Sequence, residues 1–113
     1  MYLDILDPET RSRGLALSSW GANEVAWDKH TVRQVIAAAA NAGLPILGGD
    51  VWRADASGRW RPTGENWFSE RHPGEEISAY VRRSRTEAIA YLGRYPEPSD
   101  AITRYVVVCG APE

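Results

Sequence analysis

Leu44-Pro45-Ile46-Leu47-Gly48-Gly49-Asp50-Val51-Trp52-Arg53 is the stretch whose reading decides the fold. Its side chains alternate at a period of two, the signature of a strand. Ile46, Gly48, Asp50 and Trp52 fall on one face; Leu47, Gly49, Val51 and Arg53 fall on the other. Ala54-Asp55-Ala56-Ser57-Gly58 supplies turn residues, and Arg59-Trp60-Arg61 opens a return strand, so the two runs form a hairpin. Pro62 and Gly64 weaken the return strand. Asn66-Trp67-Phe68-Ser69 is either its continuation after a bulge or a separate short strand.

Upstream of this hairpin lies a helix. Asp28 is placed to cap it by accepting from the free amides of the first turn, with Trp27 and Val32 spaced as a hydrophobic staple. Val32, Val35, Ile36 and Ala39 share one face at helical spacing, and Gly43 followed by Pro45 stops the helix. Before it, Gly14 to Trp20 alternates as a half-buried strand that Gly21 ends. Met1 to Leu6 reads as an arm or a short strand broken by Asp7-Pro8.

Downstream, a second helix begins near Gly74-Glu75-Glu76, with acids at its positive end. Ile77, Tyr80, Val81, Ser84, Ala88, Tyr91 and Tyr95 lie on one face of it, and Pro96 and Pro98 stop it. Ile102 to Cys109 is β-branched and apolar enough to read as a central strand. The order strand, helix, hairpin, helix, strand predicts an α+β fold. The expected form is a single two-layer domain over residues 1–113, with residues 1–13 as the arm or short strand. One largely antiparallel sheet would carry both helices on one face, with a ferredoxin-like split βαβ arrangement as one solution.

The chain has 113 residues and a mass of 12.5 kDa, enough for one core without disulfides or a structural metal. With 43% apolar and 25% charged residues, wholesale disorder is excluded. The apolar runs are too short for a membrane span. A net charge of −2 argues against a polybasic nucleic-acid or membrane binder. Cys109, the only cysteine, and an N-terminus bearing Asp4, Asp7 and Glu9 lead to the expectation of a reducing, cytoplasmic setting with no secretion signal.

The usual catalytic and nucleotide motifs are missing, and Gly48-Gly49 lies inside a strand with no helix after it, so it is no dinucleotide loop. His30, His72, Asp50 and Glu70 are ligand types without ligand spacing; no metal or cofactor is expected. Cys109 sits at the end of an apolar strand, where a thiol serves as filler, although a small hydrolase using Asp50 with His72 or Cys109 is conceivable. Asp50 shares a strand face with apolar neighbours. If that face meets the helices it needs donors, either to tie the hairpin to the next loop or to receive a partner's basic group. Trp52, Trp60 and Trp67 with Arg53, Arg59 and Arg61 suit stacking on a single-stranded nucleic acid, and equally a protein–protein hot spot. At least one or two tryptophans are expected at a surface patch. Arg82, Arg83 and Arg85 read as a solvated helix side.

Ile46-Leu47-Gly48-Gly49-Asp50-Val51 after a helix ending in Ala42-Gly43-Leu44-Pro45 resembles the immunity protein 40 family of bacterial polymorphic toxin systems. Asn66-Trp67 followed by Glu70 continues the resemblance. So do Ser84, Ala88, Tyr91 and Tyr95 on the second helix, the strand Tyr105 to Val108, and the leading Leu15 to Trp20. It spans roughly residues 14 to 109, with Trp52 standing where tyrosine or another aromatic is usual. The resemblance implies a small, non-enzymatic cytoplasmic protein that binds and neutralises a cognate toxin domain. Asp50, Trp52, Asn66, Trp67 and Glu70 are the expected partner-binding residues.

Overall fold

The computed structural model describes residues 2–111. Tyr2–Ile5 is a 3-10 turn and Pro8–Ser12 a short helix, α1, so the N-terminal segment is helical where an arm or strand was expected; Met1 lies outside the described residues. The cause is local. Asp7 accepts from the Thr10 amide at 2.7 Å, and Pro8 fits the first helical position.

The strand expected from Gly14 to Trp20 is cut short. Only Leu15–Ala16 (β1) extends, pairing antiparallel with Val25–Ala26 (β2). The Leu17 carbonyl accepts the amides of Trp20 at 2.9 Å and Ala22 at 3.3 Å, which turns Ser18–Trp20 into a 3-10 coil and sends the chain back. The helix α2, Lys29–Asn41, is capped as expected, by Asp28 on the Thr31 amide at 2.7 Å. Val32, Val35, Ile36 and Ala39 are all buried, and Gly43 leaves the helix at φ +79°.

The hairpin is formed by β3, Ile46–Ala54, and β4, Trp60–Phe68. β4 runs through Pro62 and Gly64 by a register shift opposite Asp50 and Trp52, so Asn66-Trp67-Phe68 is the continuation after a bulge. The helix α3, Ile77–Arg94, buries Tyr80, Val81, Ser84, Ala88 and Leu92, and β5 is Ile102–Cys109. Among the described residues the main sheet has the antiparallel order β4-β3-β5.

β3 is therefore the central strand and β5 an edge, contrary to the reading of Ile102 to Cys109 as central. Its apolar character has another cause. Trp27 donates to the Tyr105 carbonyl at 2.9 Å and accepts from the Tyr105 amide at 2.8 Å, so one residue of the preceding loop caps the middle of that edge. The leading strand stays in the β1–β2 ribbon, so the sheet has three strands and not the four of a split βαβ arrangement.

Two apolar clusters flank this sheet. On one face α2 and α3 pack over Ile46, Val51, Trp67, Tyr105 and Val107. On the other, Leu17 and Ala26 of the ribbon cover Trp52 and Val106. The α+β architecture stands as expected, with the helices on one face and a small ribbon added to the other. A second register shift, between Ile46 and Gly48, turns Ile46 toward the helices, where its amide donates to Ser84 Oγ at 3.0 Å. Ile46 thus leaves the face it was expected to share with Asp50 and Trp52.

Gly49 faces the helices with no room to spare: a Cβ there would lie 2.2 Å from Trp67 Cη2 and 2.4 Å from the Val106 carbonyl oxygen. At Gly93 in α3 a Cβ would meet nothing within 4 Å. Two glycine-to-alanine changes should therefore have opposite signs in urea denaturation. Gly49→Ala is expected to cost about 3 kcal/mol by overpacking against backbone. Gly93→Ala is expected to gain about 0.5 kcal/mol through helix propensity. Equal effects at the two positions would contradict the close approach.

Candidate functional site

The three strands of the main sheet present two cross-strand rows on the face away from the helices. In one, Asp50 of β3 lies between Asn66 of β4 and Val106 of β5. In the next, Gly48 lies between Phe68 and Val108. The ribbon covers Val106 but stops short of the second row. Phe68 is consequently 78% exposed and Val108 40%, with Leu47 at 38% beside them. Gly48 contributes no side chain to its row, and an open groove of about 490 Å³ runs past Leu47, Gly48, Asp50, Phe68, Glu70 and Val108.

Carboxylates flank this apolar strip, and Arg71 also lines its groove. Asp50 is half-buried and, among the described residues, has no ion pair or side-chain hydrogen bond. Its charge acts on Glu24, just before β2. Burial, and after it the charge of Asp50, pushes the Glu24 carboxyl above its ordinary range. The donors that Asp50 would need inside a helix-covered core are absent because its face points away from the helices. Asn66, directly across from it, is exposed. Glu70, also exposed, follows the end of β4.

The loop carrying Glu70 is held by Arg83. Its guanidinium donates to both carboxylate oxygens of Glu75 at 2.9 Å, to Glu87 at 2.9 Å and to the Glu70 carbonyl. Arg82 and Arg85 are exposed as expected, but Arg83 is a structural clamp. Ser69 also donates to Glu87, at 2.6 Å, and Tyr80 donates to the Ser69 carbonyl.

The remaining expected site residues lie inside. Trp67 is on the helix face, buried, stacked on Tyr91 with centroids 4.8 Å apart, and its indole N–H has no partner among the described residues. Trp52 is 5% exposed beneath the ribbon. Trp60 and Trp20 are the half-buried tryptophans, and Arg104 lies over the Trp60 ring. The indoles of Trp52, Trp60 and Trp67 therefore form no single stacking platform, because Trp67 is on the opposite side of the sheet from the other two. Asp50, Asn66 and Glu70 come together at the surface with Phe68, Leu47, Val108 and Glu24, which the sequence reading did not select. Phe68 had a legible signal: next to Trp67 in one strand, it must face the other way.

Of the side chains considered for hydrolysis, Asp50 and Cys109 are not brought together. Cys109 packs on the helix side of the sheet, opposite Asp50, and burial pushes its thiol up to about 11. No group of three metal-ligating side chains occurs among the described residues. No helix is long and apolar enough to cross a membrane.

Compared with known families, residues 16–109 match the model described as Immunity protein 40. The match runs from Ala16, the second residue of β1, through the end of β5. Neither the curated proteins nor the solved structures give a match.

The Arg83 clamp makes the Glu70 loop sensitive to acid. The Arg83 hydrogen bonds lower the Glu75 carboxyl from 4.5 to about 2. A carboxylate depressed on folding contributes stability above its unfolded value and loses it as pH falls through the folded one. Protection of the amides in residues 69–76, taken relative to the intrinsic exchange rate at each pH, should accordingly fall between pH 4.5 and pH 2. In Glu75→Gln that pH dependence should be lost, with faster exchange already at neutral pH. An unchanged profile in the variant would show that another group holds the loop.

Proposed function

The chain belongs to the immunity protein 40 family, and we propose that it binds and neutralises a cognate toxin domain by docking its exposed sheet face onto it. The observation carrying this reading is the apolar strip of Leu47, Phe68 and Val108, bordered by Asp50, Glu70 and Glu24. An apolar centre with a charged margin is the anatomy of a specific protein interface. Phe68 supplies an anchor that loses water on docking, and the acids attract a basic surface and set its orientation.

Within this reading the five expected residues divide by depth. Asp50, Asn66 and Glu70 touch the partner. Trp52 and Trp67 support them from below, one filling the space under the ribbon and the other fixing the hairpin to α3. The protein makes no covalent bond in this role and requires no cofactor. It acts in the bacterial cytoplasm, as part of a polymorphic toxin system, on a toxin made by the same cell.

A nucleic-acid role has no comparable support. The exposed strip is bordered by Asp50, Glu70 and Glu24 against the single base Arg71, the reverse of the balance a phosphate backbone requires.

Protection of cells co-expressing the toxin encoded beside this gene is the direct test. The unmodified chain should protect. Asp50→Lys combined with Phe68→Ala, both at surface positions, should weaken binding at least 100-fold, about 3 kcal/mol, without loss of fold. Arg82→Ala, on the exposed side of α3, should bind normally. Full protection by the double variant would refute this contact face.

A further inference from the structure

The two edges of the main sheet are treated differently. On β4, the outer edge is interrupted by Pro62, Gly64 and the register shift, and it carries Arg61 and Glu65, all devices that discourage strand pairing. On β5, Tyr105-Val106-Val107-Val108-Cys109 contains no proline, glycine or charge.

The register fixes which backbone groups this second edge exposes. Tyr105 spends both its amide and its carbonyl on Trp27, so it points away from β3. In an antiparallel ladder the pointing alternates, and Val107 and Cys109 therefore also direct their amides and carbonyls outward. Trp27 is the last residue to pair there. Beyond it, among the described residues, neither Val107 nor Cys109 has an outward backbone partner.

These free groups form the floor of a groove of about 570 Å³. Tyr2, Leu3, Glu24 and Val25 line it. No basic residue lines it. Tyr2 and Leu3 pack with the helix-side cluster, whereas Glu24 is close enough to Asp50 for the two charges to interact.

We infer that the toxin domain adds an extended strand to the β5 edge, hydrogen-bonded to Val107 and Cys109. The inference rests on the docking role proposed above and specifies its geometry. Pairing through backbone supplies affinity, and alternate side chains supply selectivity. A segment of about three residues, roughly 10 Å long, covers both amides. Its side chains alternate between the two sheet faces, so an apolar one meets Tyr2 and Leu3 and a basic one meets Glu24. Val108 borders both this groove and the Phe68 face, so the added strand and the docking surface form one continuous interface.

Backbone-amide hydrogen exchange on the full chain tests this, alone and in complex with the C-terminal domain of the toxin encoded beside the gene. The amides of Val107 and Cys109 should exchange readily in the free protein and at least tenfold more slowly in the complex. Cys109→Pro removes an outward donor without touching the β3 ladder; it should weaken binding at least tenfold, while Cys109→Ala binds normally. Should the proline variant fail to fold, exchange on the unmodified chain decides alone. A complex that forms with both amides still exchanging at their free rates overturns strand addition but leaves the docking role standing. Absence of any complex overturns both. A dimer of this chain that Cys109→Pro abolishes would assign the edge to a second copy and overturn the inference as well.

Discussion

The exposed sheet face depends on how closely Trp67 approaches the backbone of β3. With only hydrogen at Gly49, the indole reaches across the strand and stacks on Tyr91 of α3. The contact continues through Tyr95 to Tyr105, with centroid separations of 5.9 Å, so one row of rings joins β4, α3 and β5. Arg53 donates to the Tyr95 hydroxyl at 2.6 Å, which donates in turn to Glu65 at 2.7 Å, tying both hairpin strands to the same row. Because a strand alternates, seating Trp67 inward obliges Asn66 and Phe68 to face outward.

That coupling explains why an apolar side chain as large as Phe68 sits in water. The ribbon that covers Trp52 and Val106 is only two residues per strand, and the turn at Ser18–Trp20 folds it back early. A longer β1 would extend the cover over Val108 and toward Phe68. The short ribbon thus sets the boundary between buried and accessible sheet, with Glu24 and Asp50 at that boundary.

Much of the architecture was legible because local signals agreed with the tertiary result. Asp28, the Val32-Val35-Ile36-Ala39 stripe and Gly43 specify α2 without reference to anything distant, and the period-two hairpin was equally plain. What was hidden depends on contacts between segments far apart in sequence. The register shift beside Gly48 moves Ile46 to the other face, and no period-two reading can contain it. The edge position of β5 was hidden because Trp27, far upstream, supplies the cover that makes an edge look central. At the site, Asp50, Asn66 and Glu70 were recognisable as polar residues flanking apolar ones. The tryptophans misled as surface anchors, since sequence does not show whether a ring finds a glycine floor or a ribbon above it.

A bare phenyl ring beside Leu47 and Val108 would ordinarily invite the chain to stick to its own copies. Two such faces meeting about a twofold axis would bring Asp50 and Glu70 of one molecule against the same acids of the other, with Arg71 beside each groove offsetting part of the repulsion. The carboxylate border therefore weighs against homotypic pairing across this face.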